Sequence, residues 1–132
     1  KMFVLEGDSG PYLQYTFARI KSVLSKSSKE DFVIQKEEFL NYKLKSEELA
    51  ILRIIYRFPE VVEEAAKRFA PNLLCQFLFA LAQRYNLFYN RLPILKDHHH
   101  LAVKFRLSLT SAVGQILANG LNLLGIEVLE KM

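Results

Sequence analysis

Between Pro71 and Pro93 the chain has no other proline and no glycine, and its large apolar residues recur at helical spacing. Leu74, Phe77, Leu78, Leu81, Tyr85 and Phe88 fall within about one third of a helical wheel. Pro71 suits a first helical turn, because its φ is preset and its missing N–H has no partner there. Pro93 drives the residue before it out of the helical region, so the helix ends there. A helix this long and this apolar on one arc must be buried against other helices. That requirement, with β-branched runs short and Gly and Pro few, points to an all-α protein.

The remaining segments supply the partners. A first helix spans about Pro11 to Lys26, with Asp8 and Ser9 placed to accept from its free N–H groups. Ser27 to Asp31 is a polar break, and Phe32 to Lys45 is a charged connector with room for a short helix. Ser46 is a plausible N-cap for a second helix reaching Arg57, with a stripe of Leu49, Leu52, Ile55 and Tyr56. Pro59 opens a third, with Glu60, Glu63 and Glu64 early in it, where the helix dipole favours acids. A fifth runs from roughly His99 to Asn119 on a stripe of Ala102, Phe105, Leu109, Ala112, Val113, Ile116 and Leu117. Gly120 suits its C′ position, and the apolar tail from Leu121 to Met132 is expected to dock on the bundle. The 132 residues, 51% of them hydrophobic, suit a single domain (1–132) with one core, a bundle of about five helices. There is no signal-peptide pattern at Lys1-Met2, and no apolar stretch reads as long enough to span a bilayer.

The first helix has two unlike faces. Leu13, Phe17, Ile20 and Leu24 fall on one side; Tyr12, Tyr15, Arg19, Ser22 and Lys26 fall roughly opposite. The second set offers stacking rings, a guanidinium and an ammonium, the layout of a surface that grips single-stranded nucleic acid. The same spacing suits tyrosines packed on a neighbouring helix with solvated bases. Charge is segregated in the same sense. Of fourteen acids, nine lie between Glu30 and Glu64, whereas Ser9 to Lys29, Ala65 to Lys96 and His98 to Ile126 hold none. The net +4 charge therefore sits on three helical segments, as expected of a face for a polyanion. Lys21, Lys26, Arg84, Arg91 and Lys96 are the candidates for phosphate contacts that carry no sequence preference.

Self-sufficient catalysis has no visible apparatus. There is no phosphate-binding Gly loop, no nucleophile elbow and no carboxylate pair spaced for acid–base work, so no catalytic residue is assigned. Consecutive side chains diverge, so His98, His99 and His100 cannot converge on one metal, and no metal site is assigned. Cys75 is the single cysteine; it lies within an apolar helical pattern and reads as a core residue. A disulfide within the chain is excluded, which fits a reducing compartment. The residues describe a binding module.

Several motifs, in order, carry a family resemblance. Gly7-Asp8-Ser9-Gly10-Pro11-Tyr12-Leu13-Gln14-Tyr15 with Ala18-Arg19 resembles the opening of the C-terminal, DALR-type anticodon-binding domain of arginyl-tRNA synthetases. Leu52-Arg53, Phe58-Pro59-Glu60-Val61-Val62 and Ala65-Ala66 are similar to its third-helix signature. Leu81-Ala82, Tyr85-Asn86 and Phe88-Tyr89-Asn90 are similar to its fourth. Arg106-Leu107, Val113, the run Ile116 to Ile126 and the closing Glu130-Lys131-Met132 are similar to its last helix and tail. Only Ser27 to Lys45 and Asp97 to Lys104 carry little of the pattern.

The resemblance implies a helical bundle like the anticodon-binding domains of class I aminoacyl-tRNA synthetases. It implies a role in ATP-dependent joining of arginine to its tRNA, with this chain binding the anticodon stem-loop. ATP and arginine would bind a catalytic domain absent from this chain, which would then be the C-terminal part of a longer protein. No cofactor is expected in the domain itself. The partners implied are tRNA for arginine and the chain's own catalytic domain, with neither DNA nor membrane, in the cytoplasm or an organelle that translates. Tyr12, Tyr15, Arg19, Tyr89 and Met132 would meet the anticodon loop. Pro93 stands four residues after Tyr89, where some members carry an aromatic residue, so a second stacking partner is missing there; Lys131 replaces an arginine. Arginine anticodons all have C in the middle, so a strict pocket must present acceptors to the cytosine amino group. Backbone carbonyls near Tyr89 and the Met132 carboxylate are the candidates. Two other roles fit the residues: a stand-alone tRNA-binding adaptor, and a helical protein-interaction module.

Overall fold

The computed structural model describes residues 9–28 and 36–126, and within them there are helices and no strand. In chain order the helices are α1 (Ser9–Ser25), α2 (Lys36–Phe39), α3 (Ser46–Tyr56), α4 (Phe58–Lys67), α5 (Pro71–Arg91) and α6 (His100–Leu123). Five are long, as the periodicity requires, and α2 is the single turn for which the charged connector had room.

Helix α5 is the spine. All six residues of its expected stripe are buried, and α1, α3, α4 and α6 all pack on it. Leu13, Phe17, Ile20 and Val23 of α1 and Leu107, Leu109, Val113, Leu117 and Leu121 of α6 complete one continuous core. Burying each large side chain of this kind contributes about 1.5–3 kcal/mol. Gly114 and Gly120 let α6 approach its neighbours closely. A Cβ at Gly114 would stand 2.8 Å from Ile20 Cγ2 on α1, and one at Gly120 would stand 2.6 Å from Leu78 Cδ2 on α5.

That second contact corrects the expected end of the last helix. Gly120 is not its C′ residue; it is buried inside α6, which runs on to Leu123. The terminator is Gly125, at φ 76°. Its N–H donates to Asn122 O at 3.0 Å, and the Ile126 N–H donates to Leu121 O at 2.9 Å. These are the paired bonds of a Schellman end, which needs a left-handed residue that glycine adopts without strain.

Other expectations shift in similar ways. The first helix already includes Ser9, and Asp8 lies outside the described residues. The N-cap of α3 is Lys45 rather than Ser46, because the Glu48 carboxylate turns back to accept the Lys45 N–H at 2.7 Å. The stripe of α3 rotates accordingly: Ile51 and Glu48 are buried, Leu52 and Ile55 are half-buried, and Tyr56 is exposed. By length and composition α6 is apolar enough to cross a bilayer, contrary to the sequence expectation. Half of that stretch is buried inside the bundle, which identifies a core helix. Of the tail, only the part up to Ile126 is described, and Leu124 and Ile126 do pack on the core. Cys75 also packs on it, and burial pushes its thiol up to about 11.

Helix α4 ends without a glycine. Phe69 takes the left-handed conformation, φ 49°, and the residue is 92% exposed. The Ala70 N–H donates to Ala65 O at 2.9 Å and the Phe69 N–H to Ala66 O at 3.3 Å, again a Schellman pair. A non-glycine residue in this region costs about 1–2 kcal/mol. Phe69→Gly should therefore raise stability by about 1 kcal/mol, read as a higher urea midpoint at unchanged slope; a lower midpoint would show that the ring contributes more than the strain costs.

Candidate nucleic-acid interface

Helices α1 and α5 meet along one polar seam, built around Asn86. Its side-chain NH2 donates to Tyr12 Oη and to Thr16 Oγ1, each at 2.9 Å. Thr16 in turn donates to the Tyr12 carbonyl at 2.9 Å. The carbonyl end of Asn86 accepts from Arg19 Nη1 at 2.8 Å. Arginine has donors only, so the oxygen of the amide must face it. Arg19 Nη2 also donates to Tyr15 Oη at 2.7 Å. The guanidinium carbon lies 4.3 Å from the Tyr89 ring centroid and 5.0 Å from that of Tyr15, inside cation–π range for both. Tyr15 and Tyr89 are 48% and 38% exposed, so each ring keeps surface open to solvent.

Tyr12 behaves differently. It is half-buried, with its ring 5.2 Å from that of Phe79, and its hydroxyl is held by Asn86. It faces the seam rather than the outside, and so supports the cluster from below. Tyr85 lies deeper still, fully buried, and burial raises its phenol to about 12.

Beside Tyr89 a cleft of about 380 Å³ opens between the end of α1 and the α5–α6 loop, lined by Val23, Lys26, Tyr89, Leu92, Pro93 and Lys96 among others. Pro93 therefore occupies the cleft as a wall, not as a second stacking ring. It also shapes the acceptors there. Leu92 is forced to an extended conformation, φ −122° and ψ 130°, which ends α5. The Tyr89 carbonyl has Pro93 as its residue four positions on, and proline has no N–H to give it. The last carbonyls of a helix point out of its C-terminal end, which here is where the cleft lies.

The five cations proposed for phosphate separate into groups. Lys26 and Lys96 line the cleft with Tyr89. Lys21 lies against the ring of Phe17, 5.8 Å from its centroid, in a smaller depression facing α6. Arg84 and Arg91 lie two turns apart on one face of α5, turned roughly 140–160° from Tyr89. Arg91 is in an ion pair with Glu47 of α3 at 3.8 Å. Met132 lies outside the described residues. His98, His99 and His100 are exposed, and the His99 N–H donates to Asp97 Oδ1 at 2.8 Å at the start of α6.

The α5–α6 loop that closes the cleft is held by a residue the sequence reading quoted as part of a motif but gave no role, Arg106. Arg106 of α6 is 2% exposed. Its Nε donates to Glu48 Oε2 at 2.9 Å, and its Nη1 donates to Asp97 Oδ2 at 2.9 Å and to the Pro93 carbonyl at 2.7 Å. Tyr42 donates to the same Glu48 oxygen at 2.7 Å. Burial works against the Arg106 charge, but the bonds to Glu48 and Asp97 and the nearby Tyr42 outweigh it and hold the guanidinium above its ordinary pKa. Burial and the Glu48 carboxylate together push the Tyr42 phenol up. The signal in the sequence was a charged residue inside an apolar arc, four residues after Ala102. Asn86 shows the same signal four residues after Ala82.

The model of the DALR anticodon binding domain family matches residues 13–132. The chain is 41% identical over 134 aligned residues to the arginine–tRNA ligase of Prochlorococcus marinus (strain MIT 9312), covering 100% of this chain and 21% of that protein. It is 36% identical over 126 residues to that of Parabacteroides distasonis, covering 96% of this chain and 21% of the relative. Among solved structures, Thermus thermophilus arginyl-tRNA synthetase superposes with a TM-score of 0.83 at 34% identity, over 98% of this chain and 22% of that one. The chain thus spans about a fifth of the length of the relatives it matches.

Two predictions follow from the Arg106 network. Arg106→Met leaves Glu48 buried without its counter-charge and should cost about 3–5 kcal/mol in urea unfolding; a loss below about 1 kcal/mol would mean the pair behaves as a solvated one. The backbone N–H of His99, and after it Arg106, hold the Asp97 carboxyl below its ordinary range. A depressed folded-state pKa adds stability above the unfolded value of about 3.9, and that stability disappears as pH falls through the folded value. Asp97→Asn should therefore flatten the acid limb of a stability–pH profile below about pH 4.

Proposed function

The chain belongs to the DALR anticodon binding domain family, and from that premise we propose that it binds the anticodon stem-loop of arginine tRNA, as the RNA-reading part of an arginine–tRNA ligase. The arrangement that carries this reading is the Arg19 guanidinium between two open tyrosine rings, beside a cleft flanked by Lys26 and Lys96. Unstacked loop bases bind on aromatic faces and guanidinium planes, and each stacked base contributes about 1–3 kcal/mol. One face of Tyr89 already carries Arg19, so the base takes the other. Lys26 and Lys96 hold the backbone without sequence preference.

The middle cytosine needs an acceptor for its amino group. The Tyr89 carbonyl suits that part, because Pro93 withholds the N–H that would otherwise satisfy it. In the whole protein, arginine activation with ATP and transfer to the tRNA belong to a catalytic domain outside this chain. Such a protein works where translation occurs, in the cytoplasm or a translating organelle.

The test is binding of an arginine anticodon stem-loop against the same loop with the middle C changed to U, at two salt concentrations. Preference for C over a salt-dependent baseline is the expected result, and salt-dependent binding without preference would leave a general RNA clamp. Tyr89→Ala should lower affinity by about 1–3 kcal/mol and narrow the preference. Lys26→Ala should weaken both loops alike and reduce the salt slope by about 0.7. Equal losses for the two loops in Tyr89→Ala would remove its assigned role.

A further inference from the structure

Four arginines of this chain are held in two chemically different ways. Arg68 pairs with Glu64, Arg91 with Glu47, and Arg106 with Glu48 and Asp97. Arg19 is as closely held as any of them, yet both groups that hold it are neutral: the Asn86 amide oxygen and the Tyr15 hydroxyl. Among the described residues it enters no ion pair. Two of its five N–H groups are committed in these bonds, and three remain uncommitted among the described residues.

Asn86 is well built for this part. It is 8% exposed, and its orientation is fixed because both its donors are engaged by α1, through Tyr12 Oη and Thr16 Oγ1. The amide can turn neither away from Arg19 nor end over end without losing three hydrogen bonds. An aspartate would hold the same guanidinium with the same shape, and the two hydroxyls could rotate to donate to it. It would also cancel the charge.

We propose that Asn86 is the positioning residue of the interface: it fixes the Arg19 guanidinium between Tyr15 and Tyr89 through a neutral acceptor, which leaves the full positive charge and three donors for the phosphate or pyrimidine acceptors of the bound RNA loop. The inference rests on the anticodon-binding reading and adds to it the division of labour between orientation and charge.

Two variants separate these. Asn86→Asp keeps the orientation and cancels the charge; Asn86→Ala keeps the charge and releases the orientation. Binding of the C-middle and U-middle stem-loops is measured across a salt series, with helicity and thermal melting recorded for each variant. Asn86→Asp should bind about tenfold more weakly at low salt, with a salt slope lower by about 0.7. Asn86→Ala should keep the wild-type slope while its preference for C narrows several-fold. Should Asn86→Asp fail to fold, Arg19→Lys takes its place beside Asn86→Ala. A lysine keeps the charge but lacks the fork, so it should reproduce the Asn86→Ala pattern. Equal losses in the two Asn86 variants with slope and preference unchanged, or Arg19→Lys retaining full preference, would overturn the proposal. A wild-type chain without preference for C would overturn the anticodon reading itself; a wild-type preference that persists in Asn86→Ala overturns only the role of Asn86.

Discussion

A single buried guanidinium, that of Arg106, ties the loop before its own helix to the start of α3, 58 residues away. Its bonds reach Glu48 at the start of α3, Asp97 before α6 and the carbonyl of Pro93 in the loop after α5. Through Glu48 it also meets Tyr42 in the connector and the N-cap of α3. Removing a charge from water costs several kcal/mol, and mutual attraction compensates only when hydrogen bonds satisfy the remaining donors and acceptors. That condition confines the surrounding elements to arrangements in which all the partners arrive together. The loop from Pro93 to Asp97 is held in this way, and with it the wall of the cleft beside Tyr89.

The second constraint is the register of α1 against α5. Their apolar contacts alone would tolerate some sliding. The Asn86 amide does not, because its three bonds to Tyr12, Thr16 and Arg19 exist at one register only. The Tyr15 and Tyr89 rings and the Arg19 guanidinium are thus placed by a polar seam on the rim of an apolar core. A planar cation held in advance between two rings needs little further ordering to bind a ligand, and ordering side chains is one of the main costs of association.

Much of the fold was legible. The prolines at 71 and 93 and the apolar arc between them delimit α5 within a residue, and the stripes of α1 and α6 identify most of the core. Periodicity is a strong guide where burial is one-sided. It failed in α3, where Glu48 is buried and Tyr56 exposed, because the carboxylate's destination is Arg106, 58 residues away. It also misread Gly120: a glycine near the expected end of a helix looks like a terminator, whereas its use is decided by Leu78 across the interface. Of the candidate site, Tyr15 and Tyr89 gather around Arg19 and Lys26 and Lys96 line the cleft beside Tyr89, Tyr12 turns to a supporting place, and Lys21, Arg84 and Arg91 face elsewhere.

The sequence by itself determined which segments are helical, the apolar faces of α1, α5 and α6, and that positive charge is kept apart from the acids, since these depend on residues within a few turns of one another. Its motifs, matched in order along the chain, also determined the family. Tertiary structure alone decided which arginines, among the described residues, meet a carboxylate and which meet neutral groups. Arg106 and Arg91 look as available as Arg19 in the sequence, but each meets a carboxylate on α3 when the chain folds, while Arg19 meets an amide and two rings. Pairing is a matter of a few ångströms between residues distant along the chain, and no local pattern encodes it.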